Sequence, residues 1–320
     1  MTTRGQRIGA AMLALIGALA LGAPFFAPDS PSVQHADLAY APPMRVRIVH
    51  EGQLRRPFVY PVHVVDRLER RFAADTSAPQ PIRFFSDGRL FTTSAAWFAL
   101  GADPLGRDVL TRILYGGQLS LSVAAIAVLV TLVIGALIGA VAGYAGGRVD
   151  RALMTLSDFI VILPTAYVLL TLRASMPLTL STPAVFWTMV GVLAAASWPL
   201  PARGVRAIVA AERRQPYAEA AYAAGAGPLR ILLRHLLPAA AGHLATQAFL
   251  LFPAFILAEA TLSYLGLGFA EPSASWGVML QDSARVATIV EAPWLMTPAI
   301  AVVFAVFATH LLTRDQAPKT

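Results

Sequence analysis

Long apolar runs alternate with short polar segments along most of this chain. The first run covers 8–27, and five more cover approximately 119–144, 152–172, 184–200, 244–265 and 292–312. Each is long enough to cross roughly 30 Å of hydrocarbon, the 184–200 run being the tightest. A chain in lipid must satisfy its own backbone polar groups, so these runs predict six transmembrane helices. The first is too long for a signal-peptide core of about 7–15 residues and reads as a retained helix. Pro164, Pro199 and Pro253 predict kinks or breaks. Gly135, Gly139 and Gly143 recur every fourth residue on one face of the second helix, a stripe suited to close packing within one bundle rather than to a dimer seam.

The segment 28–118 lacks such a run. Residues 44–48 alternate apolar and basic, Glu51-Gly52 can turn the chain, and 55–65 is rich in Val, Phe and Tyr. Residues 82–85 and 90–93 flank Ser86-Asp87-Gly88-Arg89, a hairpin turn signal. The expected organisation is therefore a tail and first helix (1–27), a small β-rich periplasmic insert with the segment leading to the second helix (28–118), a core of five helices (119–313) and a cytoplasmic tail (314–320). The insert either contacts a substrate-binding protein or only caps the helices.

Composition agrees with an integral membrane protein: 57% of the 320 residues are hydrophobic and only 13% charged, against about 25% in soluble domains. The net charge of +7 does not indicate a nucleic-acid partner, because the arginines fall between apolar blocks. With the N-terminus inside, Arg4, Arg7, Arg148, Arg151, Arg203, Arg206, Arg213, Arg214, Arg230, Arg234, Arg314 and Lys319 all face the cytoplasm. The two short outer loops hold only Arg173 and Arg285. This asymmetry predicts that both termini are cytoplasmic.

Catalytic chemistry finds no support. There is no cysteine, so thiolate and disulfide chemistry are excluded. The histidines form no H-x-x-x-H pair, there is no G-x-S-x-G elbow, and the single lysine, Lys319, follows no glycine-rich loop. No metal or cofactor is expected in this chain, and any ATP must be bound elsewhere. Asp158 and Glu259 fall inside predicted helices, where a carboxylate must be paired or wet; they are either structural or line a translocation path.

The cytoplasmic stretch 201–243 is the most informative. Arg203, Arg206, Arg213 and Arg214 recur at helical spacing, Pro216 opens a second short Ala-rich helix, Gly225 and Gly227 stop it, and Pro228 begins another helix that runs to Pro238. A short helix held between two turns offers small side chains for close approach by a soluble partner, with Tyr217 and Glu219 as polar anchors; a solvated loop without a partner weighs equally on spacing alone.

Glu219-Ala220-Ala221, Gly225 and Leu237-Pro238 resemble the EAA loop of ATP-binding-cassette importer permeases. Arg234-His235-Leu236-Leu237-Pro238 is similar to the R-H-I-L-P of the dipeptide, oligopeptide and nickel subfamily, with Ala239 where Asn is usual. Residues 100–112 (LGADPLGRDVLTR) resemble that subfamily's L-G-T-D-x-L-G-R-D segment. Residues 143–150 with Met154 and Asp158 resemble its G-Y-x-G-G-x-x-D signature, although Thr155 replaces an Arg. Residues 259–280 resemble its E-A-x-L-S-F-L-G-L-G…S-W-G-x-M-L block. The resemblance, closest to the second-permease type, implies a type I importer permease fold in the bacterial inner membrane. It implies four kinds of partner: a second homologous permease, two ATP-binding subunits carrying ATP and Mg, a periplasmic substrate-binding protein, and lipid. It also implies an ATPase-coupling loop containing Tyr217, Glu219, Ala220, Ala221, Gly225, Arg234, His235 and Pro238. Relatives carry peptides, nickel complexes, and sugars or opines, and composition does not choose among them. A secondary transporter using Asp158 and Glu259, or a membrane scaffold or enzyme, are the rival readings.

Overall fold

The computed structural model describes residues 3–67, 69–163, 165–175, 177, 180–284 and 290–313; Pro164, Arg285, Arg314 and Lys319, singled out above, lie outside them. The chain is predominantly helical. Helix α1 (Arg4–Leu21) starts four residues before the apolar run, because Thr3 and Gln6 form a capping box that satisfies its first amides. It stops at Gly22, and a single turn, α2 (Ala23–Phe26), follows.

Seven short strands come next. β1 (Arg47–His50), β2 (Gln53–Val59) and β5 (Gln80–Pro81) form one antiparallel sheet, β3 (Val62–Asp66) pairs with β4 (Arg71–Ala74), and β6 (Arg83–Ser86) with β7 (Arg89–Thr92). Their register at β6–β7 leaves Asp87 and Gly88 as a two-residue turn, both at positive φ (55° and 73°), as a type I′ hairpin requires. Ala41, Met44, Phe98 and Ala102 make a small core here, and Trp294 Nε1 donates to the Ala102 carbonyl (3.0 Å), holding this region against the helices.

Helix α3 (Val109–Ala145) is capped by Asp108, whose carboxylate accepts from Thr111 N at 2.7 Å. At 37 residues it is about 55 Å long, so it projects beyond a bilayer core. Its Val123, Ala124 and Ala127 pack in the main core with Met189 and Leu193 of α6 (Thr182–Ser197), Phe255 and Ile256 of α10 (Ala241–Tyr264), and Trp276 of α11 (Trp276–Asp282). The 152–172 run divides into α4 (Gly147–Ile162) and α5 (Thr165–Ala174); Leu163, which precedes a proline, is extended as that position favours. Helix α6 passes into α7 (Pro199–Glu212) through a 50° bend at Trp198, with prolines in the first turn of α7. Two short helices, α8 (Pro216–Ala223) and α9 (Pro228–Ile231), follow.

The helix expected to end at Pro238 does not end there. From α9 the path continues through a π turn (Leu232–Leu236) and a 3₁₀ turn (Leu237–Ala240) directly into α10. Pro238 has no N–H to offer the preceding turn, and the widened and tightened turns absorb that defect. Helix α10 likewise runs without interruption through Pro253. The last helix is α12 (Thr297–Thr313).

Three described helical paths, Val109–Ala145, Pro228–Tyr264 and Pro293–Thr313, are long and apolar enough to cross a membrane, and the bent pair α6–α7 makes a fourth.

Candidate functional site

The segment that the sequence marks for a partner forms one surface. In α8 the face carrying Ala218 is buried, and Ala221 packs beside it against Val205 and Val209 of α7, Ala140 and Tyr144 of α3, and Ile231 and Leu236 beyond α9. The rest of the surface is open: Glu219 and Ala220 are exposed, as are Tyr217 (43%) and Tyr222 (70%) on α8, Leu229 (67%) on α9 and Leu233 (50%) on the turn beyond it. Alanines on both faces explain the arrangement, since they let α8 lie close to the helices beneath and offer little bulk above.

Gly225 ends α8. Its φ of +80° is the left-handed conformation that glycine adopts without strain. Its N–H donates to the Tyr222 carbonyl (3.0 Å) while Ala226 N–H donates to that of Ala221 (3.1 Å), the paired bonds of a Schellman cap. At the other end Tyr217 Oη donates to Glu212 Oε2 at 2.5 Å, joining α8 to α7. That bond to a carboxylate, with smaller contributions from burial and from the Glu212 charge, pushes the Tyr217 hydroxyl up to about 12. The His235 ring lies 6.5 Å from that of Tyr217, whereas Arg234 and Pro238 are exposed along the π and 3₁₀ turns. Tyr144, Arg213, Ala218, Glu219, Tyr222 and Ile231 line a cavity of ≈ 330 Å³ beside the helix.

Beneath this surface, α7 is fixed to the membrane helices. A Cβ on Gly135 would lie 2.8 Å from Pro201 Cβ, one on Gly139 2.3 Å from the Ala202 carbonyl oxygen, and one on Gly143 2.6 Å from that of Arg206. The glycine stripe is therefore the seat of α7, within this chain. Arg206 makes a two-pronged pair with Asp150 of α4 (2.9 and 2.5 Å), a geometry that gives orientation as well as attraction. Arg203 bonds Ser157 (3.0 Å) and Asp158 (2.5 Å). Asp158 is thus paired, and its side chain is 62% exposed at the helix surface.

Glu259 of α10 sits at 0% exposure, accepting from Ser263 Oγ at 2.8 Å; Ser263 Oγ in turn accepts from Phe269 N at 3.1 Å. It does not meet Asp158 in any hydrogen bond or ion pair.

A second constellation has no periodic signal in the sequence. Arg107 (2% exposed) and Arg112 (0%) share the Asp103 and Glu271 carboxylates. Arg107 Nε lies 2.6 Å from Asp103 Oδ2, Arg112 Nη2 2.7 Å from Glu271 Oε1, and Arg112 Nη1 3.3 Å from Asp282. Burial would push Glu271 up, but the two guanidinium groups outweigh it and hold the carboxyl below its ordinary value. Asp282 is shifted up instead, because burial there exceeds the pull of Arg112. This network ties the start of α3 and the segment before it to α11 and the loop between α10 and α11. Among the described residues no group of His, Cys, Asp and Glu is placed to hold a metal ion.

Residues 135–314, which include α7–α9 and most of the helical body, match the family model described as "Binding-protein-dependent transport system inner membrane component". The chain belongs to that family. This inner membrane component is 39% identical over 218 residues to the dipeptide transport system permease protein DppC of Bacillus subtilis (strain 168), a stretch covering 68% of the chain and 65% of the relative. It is 37% identical over 217 residues to a putative peptide permease protein of Brucella ovis, covering 68% and 69%. It is 34% identical over 217 residues to the oligopeptide transport system permease protein OppC of Bacillus subtilis (strain 168), covering 68% of each. The chain thus spans about two thirds of the length of these relatives. The permease component is a membrane transport subunit and not an enzyme.

Proposed function

We propose that this chain is one of two permease subunits of an ATP-driven importer for peptides or related small solutes, and that α8 is its coupling helix. The observation that carries this reading is α8 itself: a short helix with Tyr217, Glu219, Ala220 and Tyr222 exposed, closed by Gly225 at its C-terminal end, tied to α7 by Tyr217 and standing on an α7 that is locked to α3 and α4. The absence of a P-loop in the sequence requires the nucleotide to be on other chains. The names of the DppC and OppC relatives support peptides as the substrate class.

In this reading the partners are a second homologous permease, two ATP-binding subunits that hold ATP and Mg, and a periplasmic binding protein. Six spans cross the membrane: α1, α3, α4 with α5, α6, α10 and α12. Both termini and 201–243 are cytoplasmic, and 28–118 is periplasmic. ATP-driven closure of the soluble subunits moves α8, and the clamp passes that motion to α3 and α4 as a rigid body. The two nucleotide states must grip α8 differently, since a ligand shifts an equilibrium only through differential affinity. Asp158 and Glu259 are structural here, the first through Arg203 and the second through Ser263.

Co-purification of the tagged chain in mild detergent, with mass spectrometry and an ATPase assay, tests the proposal. The expected result is recovery of a second permease and P-loop subunits with ATPase activity. A chain that purifies alone, with uptake that follows a proton or sodium gradient, refutes it.

A further inference from the structure

We infer that the β6–β7 hairpin is a membrane-interface anchor: Phe84 and Phe85 on strand β6 enter the outer-leaflet boundary between headgroups and acyl chains, beside the end of the first helix. This rests on the reading of α1 as a membrane span. Of the other phenylalanines between α2 and α3, Phe58 (2%) and Phe98 (1%) are buried and Phe72 and Phe91 half-buried, whereas Phe84 is 52% and Phe85 75% exposed. Phe85 is held there against backbone preference. Its φ of +54° is an outlier for a bulky residue, and such conformations persist where the surroundings impose them.

The placement of Phe85 is fixed by the helix. The Phe85 ring centroid lies 6.4 Å from that of Phe25, on the turn that extends α1. This separation is only slightly more than the 5.4 Å pitch of one helical turn. Arg89 of β7 donates to the Pro28 carbonyl at 2.8 Å and lies 3.7 Å from Asp29, so the hairpin is tied to the chain immediately after that turn. Below it, Leu21 (73% exposed) and Leu15 (61%) continue the open apolar surface down α1. Phe85 therefore extends the exposed apolar surface of α1 and the turn that follows it. Aromatic rings collect at that level of a bilayer, where the ring is half in hydrocarbon. Arg83, exposed, precedes the two phenylalanines in the chain and has the charge to meet lipid phosphate. A lipid surface fits this combination of exposed aromatic rings, an apolar helix face beside them and a cation next to them in the chain.

The cysteine-free sequence allows a direct test with single nitroxide labels on the full chain in nanodiscs of phosphatidylethanolamine and phosphatidylglycerol. Labels replace Phe85 (Phe85→Cys), Phe84 (Phe84→Cys), Leu15 (Leu15→Cys, hydrocarbon reference) and Leu54 (Leu54→Cys, 81% exposed, aqueous reference). The inference expects the ratio of oxygen to nickel-chelate accessibility at 84 and 85 to exceed that at 54 several-fold and to fall below that at 15. A ratio at 84 and 85 equal to that at 54 overturns the anchor while leaving the membrane reading intact. Shielding of both positions from both reagents also overturns it, in favour of a covering protein. An aqueous ratio at 15 overturns the span and the anchor together.

Discussion

Substituting Gly139 by alanine tests the clamp between α3 and α7. The added Cβ would stand 2.3 Å from the Ala202 carbonyl oxygen, 2.8 Å from Val205 Cβ and 3.0 Å from Arg206 N, distances at or below the limit that real Cβ contacts respect. Two of the three neighbours are backbone atoms, so no rotamer change relieves the conflict and α7 must move away as a body. Forcing an extra carbon into a packed site costs about 1–3 kcal/mol, and backbone neighbours place this case near the top of that range. Alanine returns about 1 kcal/mol through its better helix propensity, leaving a net loss of about 2 kcal/mol. With about 2–4 °C lost per kcal/mol in chains of roughly this size, the midpoint should drop by roughly 4–8 °C. Gly191→Ala is the control, because a Cβ there meets nothing within 4 Å and only the propensity gain applies. The assay is thermal stability of the detergent-solubilised complex by size-exclusion chromatography, with its ATPase activity alongside. If Gly139→Ala melts no lower than Gly191→Ala, the close seat of α7 on the stripe is wrong.

Three further outcomes follow from the charged and polar groups. Arg112→Ala leaves Asp103 and Glu271 partly unpaired in a buried network and should cost about 3–5 kcal/mol; the same thermal assay should find Arg67→Ala, an exposed pair with Asp37, within about 1 kcal/mol of wild type. Glu259→Gln retains an acceptor for Ser263 and should keep peptide uptake, while Glu259→Ala should lose about 1–3 kcal/mol of stability; abolished uptake in the Gln variant with an intact fold would make Glu259 a functional carboxylate. The neutral Tyr217 hydroxyl is the form that bonds Glu212, so its contribution is complete below the ordinary value of 10 and disappears as pH rises through about 12. In ¹³C-tyrosine-labelled protein, Glu212→Gln should return the Tyr217 midpoint toward 10, and an unchanged midpoint would remove Glu212 as the cause.

The elements that were legible in the sequence are those set by local chemistry. Asp87-Gly88 dictates the β6–β7 turn, Gly225 dictates the end of α8, and the four-residue spacing of Gly135, Gly139 and Gly143 announces a close helix contact. What the stripe contacts was not legible, because its partner α7 lies some sixty residues away and its apolar pattern alone does not choose a neighbour. At 152–172 the run divides at Leu163, next to the proline that predicts a kink or break, whereas at Pro238 the proline misleads, because a π turn carries the helix onward. The Arg107–Arg112–Glu271 network joins positions about 160 apart. No periodicity links such positions, and they surfaced only through motif resemblance. Asp158 and Glu259 stood out because carboxylates are rare in apolar runs; their partners Arg203 and Ser263 became visible only in the fold.

The central claim is that α8 is the contact for a nucleotide-binding subunit. A photo-crosslinking residue at Tyr222, 70% exposed on the open face of α8, compared with one at Ile300, 53% exposed on α12, tests it most directly in the assembled transporter in its native membrane. The expected result is a crosslink from position 222 to a P-loop subunit and none from position 300, on the apolar surface of α12. A position 222 that crosslinks to no P-loop subunit, in membranes where the transporter is assembled and hydrolyses ATP, would contradict it.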